Sequence, residues 1–550
     1  MSRLGQNKTF NTVYGRFEET ARNHGSRPAI AYLGTVWTYS MIHELIERFA
    51  ASLYNMGLRK GDTAVLYLAN TPQWLISWFG MLRIGVAPVP ISPIYTPIDL
   101  IYLVNDSGAE TIVCLDTNFG YVEEISEQTK LKRIIVTNLV DLLPMWKRLL
   151  GRAFNTVPEG RYTLAGSNFS FKKLIQRSSS LPPYENFAVN GEDMVEMLYT
   201  GGTTGYPKGV PFSNQNLLSS CLMQRSMSET VIPLGEDILI SGAPLFHALG
   251  QVLAIGGILT GDTCVLLPRV QLDGMLDHIQ MYRATSLFGV PQLYRMILEH
   301  KRSERYDISS LKYCFCAGDV LASEIEKKWR QRSGVKISQG YGATETCAGV
   351  ALTPANEEAP EGSCGKLLPG KKIKLVDPIS LEPAPLDAGG ELLVASEYMV
   401  TSYWNKPDET ERCFVNLDGQ LWYRTKDMVR IDENNWVYFM DRSVDMIKHK
   451  GYRIAASEIE AALQTNPVVL ASCVVGIPDK KVGERIKAFV VLKDDVKGIT
   501  GYDLTKWCRN RLAPYKIPEY IEFRDMLPKS KVGKVLRREL KDEEQRRVET

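Results

Sequence analysis

The feature that most constrains this chain is a short run rich in glycine and threonine, Tyr199–Val210 (YTGGTTGYPKGV), which directly follows a mostly apolar run. Four of its twelve residues are glycine and three are threonine. Glycine lets backbone amides turn toward an anion, threonine adds hydroxyl donors, and Lys208 adds a mobile positive charge. The composition therefore predicts a loop that binds a polyphosphate. A flexible surface loop is the alternative that the same residue types favour.

This run differs from the phosphate loop of the common nucleotide triphosphatases. That loop has the pattern G-x-x-x-x-G-K-[S/T], whereas Lys208 has no glycine directly before it and is followed by Gly209. The run therefore predicts a different kind of phosphate site. The residues predicted to hold the phosphates are Thr200, Gly201, Gly202, Thr203, Thr204, Gly205 and Lys208.

Length and composition narrow the class of protein. A chain of 550 residues is too long for one core, and its 44% hydrophobic and 23% charged residues are typical of a globular protein. The net charge of +2 gives no indication of nucleic-acid binding. The ten cysteines include no C-x-x-C pair, which argues against a disulfide framework or zinc site and favours a reducing cytoplasm. We expect no signal peptide, because the N-terminal run Met1–Lys8 lacks an apolar core, and no membrane span, because the most hydrophobic window, Trp74–Ile91, contains an arginine and two prolines.

Short β-branched runs alternate with helical patterns, which predicts an α/β fold with largely parallel sheets. The elements expected first are the strands Thr63–Tyr67, Val86–Pro90, Thr111–Leu115 and Arg133–Thr137 and the helix Thr71–Gly85. The strands expected next are Asp237–Ile240, Thr263–Leu267, Ser286–Val290 and Leu311–Ala317. Short strands separated by turns begin near Gly365, and a basic C-terminal part begins near Asp441. We therefore expect a large N-terminal domain with a short-stranded β subdomain, followed by a small, mobile α+β domain.

Five further motifs accompany the glycine–threonine run. They are Pro244–Gly250 (PLFHALG), Gln339–Thr346 (QGYGATET), Leu421–Asp427 (LWYRTKD), Asp441–Glu460 and Pro528–Arg538 (PKSKVGKVLRR). The set covers nearly the whole chain and resembles the motifs of the adenylate-forming superfamily: acyl-CoA synthetases, luciferases and the adenylation domains of peptide synthetases. This sequence departs from the superfamily pattern at Gly201, where serine is commonest, at Lys426, where glycine is usual, and at Ala456, where proline is common.

The resemblance implies an ATP site. It assigns adenine and ribose contacts to Gly318, Asp319, Tyr341, Gly342, Asp427 and Arg442. Thr344 would donate to the α-phosphate, and Glu345 would be an oxygen ligand for Mg²⁺, which takes few carboxylates beside phosphates and water. Asp427 suits the vicinal ribose hydroxyls, because a carboxylate accepts two hydrogen bonds at once. Outside this context, Thr344 and Glu345 would be a helix cap and a first-turn carboxylate, and Asp427 a turn residue.

In the C-terminal motif the resemblance implies that Lys534 is the catalytic lysine. A cation there would stabilise charge where a carboxylate meets a triphosphate. Lys448 and Gly451 would line the passage for the pantetheine arm of CoA, and Val444 stands at the usual hinge position, where a β-branched residue is stiff. Without the resemblance, the lysines and arginines around Lys534 would be a solvated basic face. The predicted division is an adenylation domain over residues 1–441, a hinge over 442–445 and a mobile domain over 446–550.

The acyl site is the least specified part of the interpretation. The resemblance places His247 beside the acyl carboxylate, although a lone histidine is more often a satisfied core residue. The mostly apolar run Leu249–Gly261 leaves space for an aliphatic group. The insertion Asp141–Asn190 opens with an apolar and basic run similar to one in long-chain fatty acid ligases. Segment 139–154 is therefore a candidate for membrane-surface contact, and a helix packed in the core is the alternative.

We interpret the chain as an AMP-forming acyl-CoA synthetase, an acid–thiol ligase that uses ATP, Mg²⁺ and CoA. A carboxylic acid, expected to be a medium- or long-chain fatty acid, would become an acyl-adenylate and then a thioester. Branched, alicyclic and aryl acids remain open, as does a carrier protein in place of CoA. A non-catalytic fatty-acid or nucleotide-binding protein is the alternative from another class, and the joint presence of Lys208, Glu345, Asp427 and Lys534 argues against it. We expect a cytoplasmic protein, with or without peripheral membrane contact, and leave its oligomeric state open.

Overall fold

The computed structural model describes residues 12–153, 157–164, 166–176, 180–200, 206–443, 445–450, 452–479, 481–493, 496, 498–529 and 535–549. The chain forms two compact units. The first comprises Met1–Lys371 and Ala395–Tyr423, and the second comprises Lys372–Val394 and Arg424–Thr550. The predicted hinge, 442–445, falls within the sequence of the second unit, and the predicted domain boundaries stay a prediction.

One sheet of the first unit is parallel throughout. Its strands, in spatial order, are Ala87–Pro90, Thr63–Tyr67, Thr111–Leu115, Arg133–Thr137 and Asn168–Ser170. Three of the predicted strands have the observed bounds. The helix predicted over Thr71–Gly85 is observed at Pro72–Arg83, where it begins after the Thr71 cap with proline at its first position. Every residue of that helix is buried, because it packs against helix Tyr39–Asn55 and against strands Thr63–Tyr67 and Ala87–Pro90.

A nine-stranded sheet forms the larger core of the first unit. Its strands, in spatial order, are Lys366–Leu367, Ala348–Leu352, Ile337–Ala343, Tyr313–Ala317, Ser286–Gly289, Ile238–Ser241, Thr263–Leu266, Pro28–Tyr32 and Thr35–Thr38. The central pairs are parallel and the outermost pairs are antiparallel. Parallel strands place their carboxyl ends at one edge, where α/β proteins bind ligands. The predicted α/β class with parallel sheets is confirmed.

Helices cover these sheets. In the first unit they are Val13–Asn23, Tyr39–Asn55, Pro72–Arg83, Pro97–Ser107, Phe119–Glu124, Met145–Ala153, Phe171–Gln176, Asn214–Ser226, Ala248–Thr260, Leu272–Tyr282, Pro291–Glu299, Ser323–Ser333 and Pro407–Cys413. The predicted insertion, Asp141–Asn190, is partly integrated into the fold, because Asn168–Ser170 extends the five-stranded sheet. None of the helices in the described ranges is long and apolar enough to cross a membrane.

The second unit is built from mostly antiparallel strands and a few helices. Its strands include Lys372–Val376, Gly390–Ala395, Val437–Arg442 and the end of Gln420–Ile431, followed by Ile447–His449, Tyr452–Ile454, Val469–Asp479, Gly483–Leu492 and Tyr520–Phe523. Its helices are Ala456–Gln464, Gly501–Arg509 and Arg537–Glu549. Apolar residues of the long hairpin Val469–Leu492 pack against the first two helices. This arrangement agrees with the small α+β C-terminal region that the sequence predicts.

Candidate active site

The glycine–threonine run connects two paired strands. Met194–Thr200 and Lys208–Ser213 form an antiparallel pair in which Thr200 lies opposite Lys208. Next to this pair, the Tyr199 hydroxyl donates to Asp106 Oδ2 at 2.7 Å and the Tyr102 hydroxyl donates to the Pro207 carbonyl at 2.8 Å. Both ends of the run are therefore anchored to one helix, Pro97–Ser107. Residues 201–205, which carry five of the predicted phosphate contacts, lie outside the described residues.

Lys208 lies beside an aromatic ring and one carboxylate. Its Nζ lies 4.2 Å from the centroid of the Tyr403 ring and 3.4 Å from Glu409 Oε2. The hydroxyl oxygen of Thr200, opposite Lys208, is buried and has no hydrogen-bond partner among the residues that the structure describes. An ammonium has three N–H donors, so contacts with one ring face and one carboxylate leave donor capacity for an anion.

Tyr403 links Lys208 to Glu345. The Tyr403 hydroxyl donates to Glu345 Oε1 at 2.6 Å. Burial, reinforced by the Glu345 carboxylate, raises the pKa of Tyr403 well above its usual value, so the phenol stays protonated and acts as the donor. Glu345 is buried, at 7% exposure. Sequence reasoning missed Tyr403, which lies 58 residues after Glu345, and its local pattern carries no signal for a site residue.

The loop that carries Thr344 and Glu345 is held tightly. The Thr346 hydroxyl accepts from the Ala343 amide at 3.0 Å and donates to the Ala348 carbonyl at 2.9 Å. Gly342 must lack a side chain, because a β-carbon there would lie 1.7 Å from the Ala348 carbonyl oxygen. Lys371 Nζ donates to the Thr346 carbonyl at 3.1 Å, and burial lowers the pKa of that lysine. These contacts fix the backbone from which Thr344 and Glu345 project.

The predicted adenine contacts lie at the carboxyl ends of two neighbouring strands. Ala317 and Gly340 are register partners in the parallel pair, so Gly318 and Tyr341 follow them at the same edge of the sheet. Gly318 has a φ of +89°, which glycine adopts without strain, and Asp319 next to it is exposed. The structure thus brings together the two segments that the sequence assigns to adenine.

His247 begins the long buried helix of the acyl motif. It precedes Ala248–Thr260 as its N-cap, and its Nδ1 accepts from the Leu249 amide at 3.3 Å. Its side chain is exposed, whereas almost every residue of the helix is buried. The alternative of a histidine buried in the core is therefore wrong for the side chain.

In the second unit, Asp427 and Arg442 are register partners on adjacent strands. Arg442 Nε lies 3.4 Å from Asp427 Oδ1, and the Asp427 side chain is buried. Lys426 has a φ of +60°, a left-handed conformation that costs a residue with a β-carbon about 1–2 kcal/mol. This conformation explains why glycine is usual at the position in the superfamily.

The residues assigned to CoA and to catalysis are only partly described. Lys448 has an exposed side chain, and its amide donates to Glu484 Oε2 at 2.7 Å. Gly451, Val444 and Lys534 lie outside the described residues. On either side of Lys534, Lys529 and Val535 pair with each other. Within the described ranges, no group of three or more His, Cys, Asp or Glu side chains is placed to hold a metal ion.

Comparison with known proteins identifies the family. The pattern of the AMP-binding enzymes matches residues 17–404, and that of the AMP-binding enzyme C-terminal domain matches residues 458–534. This chain belongs to the AMP-binding enzyme family. The predicted membership of the adenylate-forming superfamily and the predicted AMP-forming acid–thiol ligase class are confirmed.

Relatives of this AMP-binding enzyme have similar length. It is 32% identical over 543 residues to the long-chain-fatty-acid–CoA ligase of Salmonella typhimurium, which covers 97% of this chain and 94% of the relative. It is 28% identical over 516 residues to 4-coumarate–CoA ligase 1 of Petroselinum crispum, covering 92% and 89%. The crystal structure of the anthranilate CoA ligase AuaEII with anthranoyl-AMP matches at 24% identity with a TM-score of 0.85 and covers 100% of both chains, which supports the fold.

A buried acid on the strand before the glycine–threonine run has no counterpart in the motifs. Glu196 Oε2 accepts from Trp78 Nε1 at 3.1 Å and from Gln251 Nε2 at 2.9 Å. Burial raises the pKa of Glu196 to about 7, although both hydrogen bonds lower it. The sequence shows a lone glutamate in an apolar run as the only signal of this feature. Gln251 lies one helical turn after His247, so Glu196 contacts helix Ala248–Thr260, which begins within the acyl motif.

Proposed function

We propose that this AMP-binding enzyme is an ATP-dependent acyl-CoA synthetase that activates a medium- or long-chain fatty acid. The observation that carries the proposal is the continuous contact from Lys208 through Tyr403 to Glu345. It puts a cation with free donor capacity over the face of a phenol ring and a buried carboxylate at the hydroxyl of the same ring. A site of this kind suits a triphosphate accompanied by a divalent cation.

The donor set of the cluster fits Mg²⁺ bound together with ATP. Glu345 offers carboxylate oxygens, of which Oε1 accepts from Tyr403. Mg²⁺ is typically held by one or two carboxylates plus phosphates and water, so a single acid with no further cluster is sufficient. When bound, the ion would supply charge that stabilises the phosphates. Tyr403 would orient the Glu345 carboxylate, and Lys208 would bind a phosphate oxygen directly.

In the first half-reaction a carboxylate oxygen of the acid attacks the α-phosphorus of ATP. The bond to the bridging oxygen breaks, and pyrophosphate leaves with its electron pair. Thr200 and Lys208, with residues 201–205, would hold the leaving phosphates, and Thr344 would donate to an α-phosphate oxygen. Lys534 would stabilise the charge where the two anions meet. Tyr341, Gly318, Asp319 and Gly342 would hold the adenine, and Asp427 with Arg442 the ribose.

In the second half-reaction the sulfur of CoA attacks the acyl carbonyl carbon. AMP leaves, and the thiol proton is released to solvent. The residues after the hinge would rotate between the two steps, withdrawing Lys534 and presenting Lys448 and Gly451 to the pantetheine arm. A shared mobile domain lets one acyl site serve two reactions with different partners.

The acid is proposed to be a fatty acid because the long-chain-fatty-acid–CoA ligase of Salmonella typhimurium matches almost the whole chain. Helix Ala248–Thr260, which follows His247, is almost entirely buried and apolar, as the wall of an aliphatic site would be. An aryl acid is the second candidate, since the 4-coumarate–CoA ligase also matches over most of the chain.

A membrane-facing surface would suit a fatty acid substrate. Helix Met145–Ala153 exposes Met145 (73%), Trp146 (58%), Leu149 (59%) and Leu150 (49%). The Lys147 ammonium donates to the Leu33 carbonyl at 2.9 Å, which holds the helix beside the hairpin turn at Leu33. The alternative of a helix packed in the core is wrong for these four side chains. We propose that the helix lies on a lipid surface of an otherwise cytoplasmic enzyme.

Vesicle sedimentation tests the membrane contact. We expect the double substitution Trp146→Glu and Leu149→Glu to lower binding to anionic phospholipid vesicles by roughly tenfold or more, because two apolar side chains are removed from the interface. Ile98→Glu, at an equally exposed apolar position (78%), is the control and should leave binding unchanged. Equal binding by both variants would contradict the assignment of this helix.

Pyrophosphate release tests the function itself. The purified enzyme is given ATP, Mg²⁺ and a panel of fatty and aryl acids, each with and without CoA. Release that depends on a medium- or long-chain acid, accelerates with CoA and yields a thioester is the expected result. A preference for aryl acids would favour the second candidate. Release that is indifferent to CoA would point to a carrier protein as the acceptor.

A further inference from the structure

Arg537 begins the last helix, Arg537–Glu549, three residues after Lys534. Its guanidinium contacts three carboxylates of the second unit. One terminal nitrogen donates to both oxygens of Glu460, at 2.9 and 2.8 Å, and the other donates to Asp445 Oδ2 at 2.7 Å and lies 3.7 Å from Asp441 Oδ1. The side chain is therefore held in one place, in contrast to a solvated basic residue.

The carboxylates are themselves fixed by backbone donors. Asp441 accepts from the Ser457 amide at 3.0 Å and from the Arg442 amide at 2.7 Å, and its side chain is only 3% exposed. Glu460 accepts from the Val474 amide at 2.6 Å. Charge-assisted hydrogen bonds to acceptors that are already held in place restrict the movement of both partners. Arg537 thus joins the start of its helix to a rigid acidic pocket.

Arg538, the next residue, behaves differently. Its side chain is 64% exposed and lies 3.6 Å from Asp542, one turn along the same helix. Arg537, by contrast, contacts carboxylates that lie 77 to 96 residues earlier in the chain. The described residues on either side of Lys534 are held as well, because the Leu536 amide donates to the Pro528 carbonyl at 2.8 Å and Lys529 pairs with Val535.

The acids that Arg537 contacts lie on both sides of the predicted hinge, 442–445. Asp441 directly precedes the hinge, Asp445 ends it, and Glu460 lies beyond it. A rotation at the hinge would leave the Glu460 contact intact, since Glu460 moves with the C-terminal segment. It would change the distance from Arg537 to Asp441. The 3.7 Å contact, together with the hydrogen bond from the Ser457 amide to Asp441, therefore depends on the state of the hinge.

We propose that Arg537 is a positioning residue for Lys534: it ties the lysine segment to the carboxylates that flank the hinge, so that Lys534 and the hinge move together. This inference rests on the proposed function, in which Lys534 acts in adenylate formation only. Arg537 itself contacts no substrate.

The two half-reactions, measured separately, test the inference. We expect Arg537→Met to slow adenylate formation roughly 10- to 100-fold, the loss that a displacement of about 1 Å produces. The KM for ATP should change less than about twofold, and thioester formation from supplied acyl-adenylate less than about threefold, because Lys534 is not used there. Arg537→Lys, which keeps the charge, should recover part of the loss. Arg538→Met is the matched control and should leave both half-reactions unchanged.

Asp445→Asn covers the case in which Arg537→Met fails to fold. It keeps the shape of the side chain and removes the charge from one contact of Arg537, so we expect a smaller loss that is again confined to adenylate formation. Unchanged adenylate formation in Arg537→Lys and Asp445→Asn, or equal loss in both half-reactions, would overturn the role of Arg537. Lys534→Ala separates this from the proposed function: full adenylate formation in that variant would overturn both, whereas its loss together with normal activity of the Arg537 variants would overturn only the positioning role.

Discussion

Lys208 and Arg537 are cations within glycine-containing motifs, and both are half-buried, with side-chain exposures of 14% and 21%. Their partners differ. Lys208 lies over the Tyr403 ring and reaches one carboxylate at 3.4 Å, whereas Arg537 donates to two carboxylates at less than 3 Å and lies near a third. Exposure therefore does not distinguish a cation that can bind a substrate phosphate from one that holds the structure together. The number and geometry of its acidic partners do.

The largest expected effect lies in the C-terminal motif. Replacing Lys534 by alanine should slow adenylate formation by roughly 10²–10³, or about 3–4 kcal/mol, since it removes charge stabilisation in the transition state. Conversion of supplied acyl-adenylate to thioester should change far less. Single-turnover kinetics of each half-reaction measure both. If the two fall together, Lys534 supports the structure and has no specific role in adenylate formation.

At the other region, Lys208→Met should raise the KM for ATP by about 10- to 100-fold, because one hydrogen bond to a charged group contributes about 1.5–3 kcal/mol. Steady-state kinetics with ATP as the varied substrate measure it. Lys406→Met provides the control: Lys406 is also an amine near an aromatic ring and one carboxylate, with Asp106 3.6 Å from its Nζ, but it lies outside the glycine–threonine run. A similar KM change in both variants would show that general charge, and not the position of Lys208, attracts ATP.

The same comparison can be made for buried acids, because Glu196 accepts hydrogen bonds from the neutral donors described above whereas other buried acids contact a cation. Its pKa is raised from 4.5 to about 7, so the folded protein keeps a proton that the unfolded chain loses, and stability falls as pH rises through that window. Glu196→Gln should remove this fall and raise the free energy of unfolding at about pH 8 by roughly 1–3 kcal/mol. Thermal unfolding at about pH 5 and pH 8 checks it.

The matched variant is Glu391→Gln, at a buried acid that Arg424 contacts at 2.8 and 2.9 Å. It should lower the unfolding temperature at both pH values, because it leaves a cation without its partner. A loss of stability in Glu196→Gln at about pH 8 would mean that the hydrogen bonds to Glu196 stabilise its charged form as well as Arg424 stabilises that of Glu391.

The smallest effect concerns a backbone conformation in the second unit. Lys426→Gly should stabilise the protein by up to about 1 kcal/mol, since the left-handed φ of +60° suits glycine and part of the gain is offset by the flexibility of glycine in the unfolded chain. Lys426→Ala keeps the β-carbon and should give no such gain. Differential scanning calorimetry compares the two variants, and equal unfolding temperatures would show that the turn is unstrained.

Sequence reasoning located the elements whose signals are local. The strands Thr63–Tyr67, Thr111–Leu115 and Arg133–Thr137 have their predicted bounds, because each is a short apolar run ended by turn residues. Lys208 and Glu345 were found in motifs, and the structure brings both into contact with Tyr403. The predicted roles of Lys534, Val444 and Gly451 stay predictions.

Residues that act through distant partners escaped sequence reasoning. Tyr403 lies in an irregular segment, and only the packing of that segment against the loop of Glu345 makes it a site residue. Arg537 belonged to a run of basic residues that alone would predict a solvated face. Its partners, Asp441 and Glu460, are 96 and 77 residues earlier in the chain.

By itself, the sequence determined the α/β class and the family and located the glycine–threonine run, because these depend on periodicity and on motifs that are contiguous in the chain. Only the tertiary structure decided which charged groups are paired. Pairing depends on distances between residues far apart in sequence, and a difference of one ångström changes a charge-assisted hydrogen bond into a weak contact. In the sequence, Lys208 and Arg537 are both basic residues of glycine-containing motifs. Only their surroundings, an aromatic ring for Lys208 and carboxylates for Arg537, distinguish the roles that we propose for them.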